Sequence, residues 1–194
     1  MDLEYFVDQE YDSQDYTATG FTRGEYEDCI FTNCKFQDTS FAHCRFINCE
    51  FHFCNISNVN FTHTALQTIT FDTCKMMGVN LEKCDPLALE AIFHDCKLNH
   101  ASFYHLNLTN CAFDECMLEG ADFVEADLSG INLIDCNLRE AIFENTNLER
   151  ADLTNSHGYS LDPEQNKIKG ASFSMPEVLG LLHKYKIKVD QSDD

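Results

Sequence analysis

CIFTNCKFQDTSFAHCRFINCEFHFCNISNVNF, residues 29 to 61, places a cysteine two residues ahead of an apolar residue again and again: Cys29 before Phe31, Cys34 before Phe36, Cys44 before Phe46, Cys49 before Phe51 and Cys54 before Ile56. A metal site, a disulfide framework and packing are the three candidate reasons. Carried outward, the same five-residue frame finds Tyr16, Phe21, Tyr26, Phe31, Phe36, Phe41, Phe46, Phe51, Ile56, Phe61, Leu66, Phe71, Met76 and Leu81. After a two-residue slip in KCDPLALEAIF it resumes as Phe93, Leu98, Phe103, Leu108, Phe113, Leu118, Phe123, Leu128, Leu133, Leu138, Phe143, Leu148 and Leu153. A period of five fits neither an amphipathic helix nor a lone strand. It predicts a solenoid, whose short units bury their apolar residues only by stacking on neighbouring turns.

The residue two places before each apolar centre is small or apolar in almost every frame, so both positions are expected to point inward. All eleven cysteines occupy that earlier position. Cysteine serves here as a small, easily buried hydrophobe. Metal binding needs thiolates converging on one point, whereas these are spread over a hundred residues; an odd count and an acidic, unsignal-like start, MDLEYFVDQEYDSQD, predict free thiols in a reducing cytoplasm. With 194 residues and 44% hydrophobic content, the chain can bury a core of its own. From Phe93 to Leu128 the centres alternate Phe and Leu, a period of ten that requires an even number of sides per turn. Four sides of five residues stack Phe93 on Phe113 and Leu98 on Leu118; periodicity alone leaves two or six sides open and argues against three.

The segments ADFVEADLSGINL, CNLREAIFENTNLERADL and CIFTNCKF resemble the pentapeptide-repeat family, whose motif is A(D/N)LXX. The resemblance spans about residues 14 to 156 and implies an all-β solenoid, a right-handed quadrilateral parallel β-helix. At about 4.8 Å between strands, the frames make a rod of roughly 32 Å.

The expected organisation is an N-terminal cap over 1–15, the repeat β-helix over 16–156 with its register slip at 85–92, a loop and final partial coil over 157–173, and a C-terminal helix and tail over 174–194. Ser174 and Glu177 have the spacing of a helix capping box, with Pro176 tolerated in the first turn. Val178, Leu179, Leu181, Leu182 and Tyr185 give this short α-helix more apolar surface than a narrow rod readily hides. A lid on the last coil is one reading; a lid that also makes a two-fold dimer is the other, and two-fold association is the commonest oligomeric arrangement. The segment resembles the C-terminal end of Qnr and McbG proteins, which implies a head-to-head homodimer.

Charge is regional. Residues 29 to 71 are neutral on balance, whereas residues 72 to 164 hold eighteen acids against five bases. The net charge of -20 disfavours nucleic acid or an anionic membrane as a direct ligand and favours a basic partner. On a four-sided coil, residues twenty apart share a column, which stacks Asp95, Glu115 and Asp135 in an outward ladder, with Asp114, Glu119, Asp122, Glu125 and Asp127 expected to flank it. Like charges so close destabilise one another unless solvated or met by a cation; simple solubility explains scattered acids better than a ladder. An acidic rod of stacked turns imitates the field of a DNA duplex, and two such arms match roughly 19 base pairs. Resemblance to Qnr, MfpA and McbG proteins implies occupation of the DNA-binding saddle of DNA gyrase or topoisomerase IV, protecting the enzyme from a poison or inhibiting it. The alternative is a scaffold for another protein, using the neutral Asn, Thr and His surface of residues 32 to 63. No nucleophile, cofactor loop or metal set stands out, so no enzyme and no cofactor is expected; His43 and His63 could stack outside but lack further metal ligands.

Overall fold

The computed structural model describes residues 3 to 190; Met1 and Asp2 of the expected cap and residues 191–194 of the expected tail lie outside the described residues. The chain winds into a parallel β-solenoid of about seven turns. Tyr26 pairs with Phe46 and Phe46 with Leu66 on one side; Phe31 pairs with Phe51 and Phe51 with Phe71 on the next. Single bridges from Lys35 to Asn55 and from Ser40 to Asn60 carry the same spacing around the two remaining sides. Twenty residues therefore make one turn of four sides, which settles the choice left open by periodicity.

The ten strands all lie on the first two sides: β1 (Glu4–Val7), β2 (Glu10–Asp12), β3 (Gly24–Glu27), β4 (Ile30–Thr32), β5 (Arg45–Ile47), β6 (Glu50–His52), β7 (Ala65–Asp72), β8 (Leu89–His94), β9 (Ala112–Asp114) and β10 (Leu133–Ile134). Between β7 and β8 the register changes, from Leu66 opposite Leu89 to Ile69 opposite Ala91. Two 3-10 turns, Leu81–Lys83 and Pro86–Ala88, take up the extra residues and leave Leu87 at their tip 96% exposed.

Side-chain volume fills the interior. On the second side Tyr11, Phe31, Phe51, Phe71, Phe93 and Phe113 form one column of nearly parallel rings, with centroids 4.7 to 5.3 Å apart, the offset stacking that aromatic rings favour. Six cysteines, Cys34, Cys54, Cys74, Cys96, Cys116 and Cys136, form a second inward column beside it, and the other five take the equivalent inward place on other sides. All eleven are buried and free, and Cys54, Cys74 and Cys116 donate their thiols to the carbonyls of Phe31, Phe51 and Phe93 at 3.2 to 3.3 Å. Where a hydroxyl stands in place of the thiol the bond persists: Thr64 to Phe41, Thr146 to Phe123 and Ser156 to Leu133, at 2.7 to 2.8 Å. The small inward residue thus does two jobs, filling a narrow corner and satisfying a buried carbonyl. Burial pushes the Cys49 thiol up to about 12 and Cys111 to about 11, so these sulfurs stay protonated at neutral pH.

Two expectations about the ends are corrected. Residues 4–12 are no separate cap: β1 pairs with β3 and β2 with β4, and Phe6 stacks 4.6 Å from Tyr26. Phe6 and Tyr11 continue the five-residue frame backwards from Tyr16, and the acids between them simply face out. At the other end the segment Glu177–Tyr185 is wound as a 3-10 helix rather than an α-helix, and the expected capping box is not made. The Glu177 carboxylate instead accepts from the Gly158 amide at 2.8 Å, which ties the helix to the preceding coil. Bridges at Asn137–His157 and Asn147–Lys167 flank the stretch 158–166, and the Asp152–Ser172 bridge lies in the final partial coil. No described helix is long and apolar enough to cross a membrane.

Candidate functional site

Every turn has a corner two residues after the apolar centre, where the backbone enters the left-handed region. Asp95, Glu115 and Asp135 occupy this corner in consecutive turns, after Phe93, Phe113 and Leu133, with φ of 46°, 54° and 50°. The Asp95 amide donates to the Asp114 carbonyl at 3.0 Å and the Glu115 amide to the Ile134 carbonyl at 2.9 Å, which fixes one corner above the next. Their side chains are exposed, and among the described residues none of the three joins an ion pair. A column of unpaired carboxylates about 4.8 Å apart offers a linear row of acceptors to a cationic surface. Phe53 holds the same corner two turns below Asp95, 57% exposed and with φ of 56°. Left-handed backbone is uncommon for a bulky side chain, and it turns this ring outward at the foot of the acidic edge.

One position nearer the centre runs a second row, made of alternating imidazoles and carboxylates on β6, β7, β8 and β9. His52 has Nε2 2.8 Å from Glu50 Oε2 and Nδ1 3.3 Å from Asp72 Oδ2. His94 has Nδ1 2.9 Å from Asp72 Oδ1 and Nε2 3.7 Å from Asp114 Oδ2. Hydrogen bonding to His94 leads in holding the Asp72 carboxyl below its usual range, and the Asp72 hydrogen bond likewise leads in raising His94. For His52 burial works the other way, but Glu50 and Asp72 together outweigh it and the imidazole is raised.

The expected acidic group divides. Asp114 shares the edge with Asp95, Glu115 and Asp135; the other four lie elsewhere. Glu119 follows Leu118 on the third side. Asp122 precedes Phe123 on the fourth side and staples its own turn, accepting from the Val124 amide at 2.9 Å. Asp127, on the first side, accepts from the Ser129 amide at 2.9 Å and from Asn147 at 3.0 Å. Glu125 sits on the opposite edge, 3.4 Å from His105 Nδ1. His43 and His63 lie one above the other on that opposite edge, with ring centroids 5.2 Å apart and planes tilted by 35°.

At the C-terminal end, Val178, Leu179 and Leu181 are partly buried against the coil, while Leu182 and Tyr185 are exposed. Leu179, Leu182, Ile187 and Val189 line a shallow groove of about 210 Å³. The segment is anchored by Lys184, whose ammonium meets Asp162 at 2.6 Å and Glu164 at 2.7 Å, and by the Tyr185 hydroxyl, which donates to Glu164 at 2.9 Å. Gly180 is buried, and a β-carbon there would strike the Tyr159 carbonyl.

The family described as "Pentapeptide repeat region" matches residues 25–88 and 87–157. The chain belongs to the pentapeptide-repeat family. Among solved structures it is similar to QnrB1, a plasmid-mediated fluoroquinolone resistance protein. One trypsin-treated, singly substituted form of QnrB1 has a TM-score of 0.70 at 20% identity, covering 96% of this chain and 92% of that one. A second trypsin-treated form, with a different substitution, has a TM-score of 0.62 at 22% identity, covering 97% and 98%. At that identity the likeness is one of fold. A comparison with curated proteins gives no match.

Within a pentapeptide-repeat frame, the row His52, Asp72, His94 and Asp114 is legible as a column once the slip is counted, because Asp72 and His94 are twenty-two residues apart and the other steps are twenty. A strict count of twenty misses it. The turn-stapling role of Asp122 and Asp127 was also readable, since Asn55, Asn60, Asn107 and Asp152 hold the same place in the motif and accept from an amide two residues on.

Proposed function

We propose that this pentapeptide-repeat protein is a non-enzymatic DNA mimic of the cytoplasm that binds a type II topoisomerase, DNA gyrase or topoisomerase IV, through its acidic edge. In this role it modulates the enzyme or protects it from quinolone-like or microcin-like poisons. The observation that carries the reading is the exposed, unpaired column Asp95, Glu115 and Asp135, with Asp114 beside it. A cationic channel built for duplex DNA recognises regularly spaced negative charge more than base identity, and this edge supplies such charge on a rigid support. The resemblance to Qnr, MfpA and McbG proteins selects the topoisomerase, and the fold shared with QnrB1 supports that choice. Pairing of two chains through Leu182, Tyr185 and the neighbouring Ile187 and Val189, all at least 36% exposed, would double the length of the rod.

The deciding experiment is a supercoiling assay with purified gyrase, with and without a quinolone, as the protein is titrated in. Rescue of the poisoned enzyme or inhibition of the free one supports the reading, and no effect on either refutes it. A scaffold role for the neutral half has one observation in its favour, the outward-turned Phe53 ring. If Phe53→Ala abolishes binding to gyrase while reversal of Asp95, Glu115 and Asp135 leaves it intact, the contact surface is the neutral one.

A further inference from the structure

We infer that His52 and His94 form a two-proton site inside the acidic edge, which fills in mild acid and cancels part of the negative charge the edge presents. Proton uptake follows from the geometry of the row itself; its use as a brake on a cationic partner rests on the acidic-edge reading above.

Each ring is held between two carboxylates. A neutral imidazole has one N–H and one lone pair, so at His52 either Glu50 or Asp72 would face a lone pair across 2.8 or 3.3 Å. At His94 the same conflict falls on Asp72 at 2.9 Å or Asp114 at 3.7 Å. Adding a proton turns both contacts of His52 and the Asp72 contact of His94 into donated, charge-assisted hydrogen bonds, and sets positive charge 3.7 Å from Asp114. Asp72 is shared, with one oxygen toward each Nδ1, so the two sites are coupled through it.

The surroundings reinforce the same charge state. His52 on β6 lies between Thr32 of β4 and Asp72 of β7, with Glu50 on its own strand. His94 on β8 lies between Asp72 of β7 and Asp114 of β9, with Asp95 beside it and Glu115 near enough to raise it further. Lys75 and Lys97, the cations of the adjoining third side, make no ion pair with the row among the described residues. The groups are strung one per turn, and among the described residues no three His, Cys, Asp or Glu side chains converge to hold a metal ion. A proton is the cation this spacing accommodates.

The test uses the full chain and reads the imidazole carbons by NMR from pH 5 to 9, folded and in urea. Both His52 and His94 should titrate at clearly higher pH in the folded chain than in the unfolded one, and Asp72→Asn should bring both down. Coincident titrations, or titrations indifferent to Asp72→Asn, would overturn the site. The brake is read as gyrase affinity at pH 8 and pH 6, with a His52→Gln/His94→Gln double variant, confirmed folded by melting, as control for the enzyme's own titration. The unsubstituted protein should lose about fivefold more affinity than the variant, the scale expected for two rim charges. Equal losses would overturn the brake. Failure to bind gyrase at either pH would instead refute the acidic-edge reading, with the NMR titration still deciding the proton site.

Discussion

The two halves of the rod share a backbone path, one column of rings from Tyr11 to Phe113 and one of cysteines from Cys34 to Cys136, and differ in how the other inward positions are filled. Before the register change the inward centres are mostly rings, from Phe21 through Phe51 without a break, and five of the small inward positions between residues 29 and 54 are cysteines. After it, rings alternate with leucines from Phe93 to Leu128, and Ala101, Ala121, Ala126, Ala141 and Ala151 share the small places with Cys96, Cys111, Cys116 and Cys136. Both fillings are buried, apart from Phe21 in the first coil, which is partly so, and both leave the twenty-residue turn intact. The coil therefore demands a volume at each position and tolerates different ways of supplying it. The outward residues are then free to vary independently, and they do: residues 29 to 71 are neutral on balance outside, whereas residues 72 to 164 hold eighteen acids against five bases. Function on such a rod is written in outer columns, which the core neither dictates nor records.

The sharpest way to break this comparison is to remove one ring from each half. Phe51 and Phe113 sit in the same stacked column, each at most 1% exposed. Phe51→Ala and Phe113→Ala should each cost about 3 to 5 kcal/mol in urea unfolding. A loss near zero at either would mean that half of the core is loosely filled. Gly180→Ala probes the end of the rod, where the new β-carbon meets the Tyr159 carbonyl, a backbone atom with little freedom to move. It should cost about 1 to 3 kcal/mol, and hydrogen exchange should place the loss at the C-terminal segment and leave the acidic half protected.

Charge is the next contrast. Simultaneous reversal of Asp95, Glu115 and Asp135 to Lys should weaken gyrase binding by about tenfold or more, and because the contacts are exposed charge pairs the unsubstituted protein should also bind more weakly as salt rises. The fold should be unaffected, since these carboxylates make no ion pair among the described residues. Reversing Asp8, Asp28 and Asp38, three exposed acids on other corners of the coil, is the matched control. An equal loss there would assign the effect to net charge instead of to the edge.

Most of the architecture was readable from spacing. The five-residue frame, the inward cysteines and the even number of sides all follow from which residues are consistently dry. Legibility failed where local chemistry and the repeat compete. At Phe6 and Tyr11 the surrounding acids disguised two more frames, because outward positions carry no information about whether a coil continues. At Ser174 and Glu177 a capping-box spacing was present, yet Glu177 finds a better partner in the Gly158 amide, a contact between segments that no local pattern shows. The site was half legible: the Asp95 column follows from a count of twenty, while the His52, Asp72 and His94 row needs the two added residues of the slip. Asp122 and Asp127 carry the same charge as Asp95 but belong to the turn.

That last distinction can be tested directly, and the effect is the smallest of the set. If the Asp127 carboxylate is a staple, what matters is an acceptor for the Ser129 amide and a partner for Asn147, not the negative charge. Asp127→Asn should then be nearly neutral, because asparagine keeps the acceptor and already fills the equivalent place at Asn107 and Asn147. Asp127→Ala should cost about 1 kcal/mol, the net worth of an ordinary hydrogen bond. At Asp135 the order reverses in kind: neither Asn nor Ala removes an ion pair among the described residues, so stability should barely move, while the loss of charge should register in partner affinity. Stability that follows the acceptor at position 127, and binding that follows charge at position 135, would show two acids of neighbouring repeats divided between holding the coil and marking its surface.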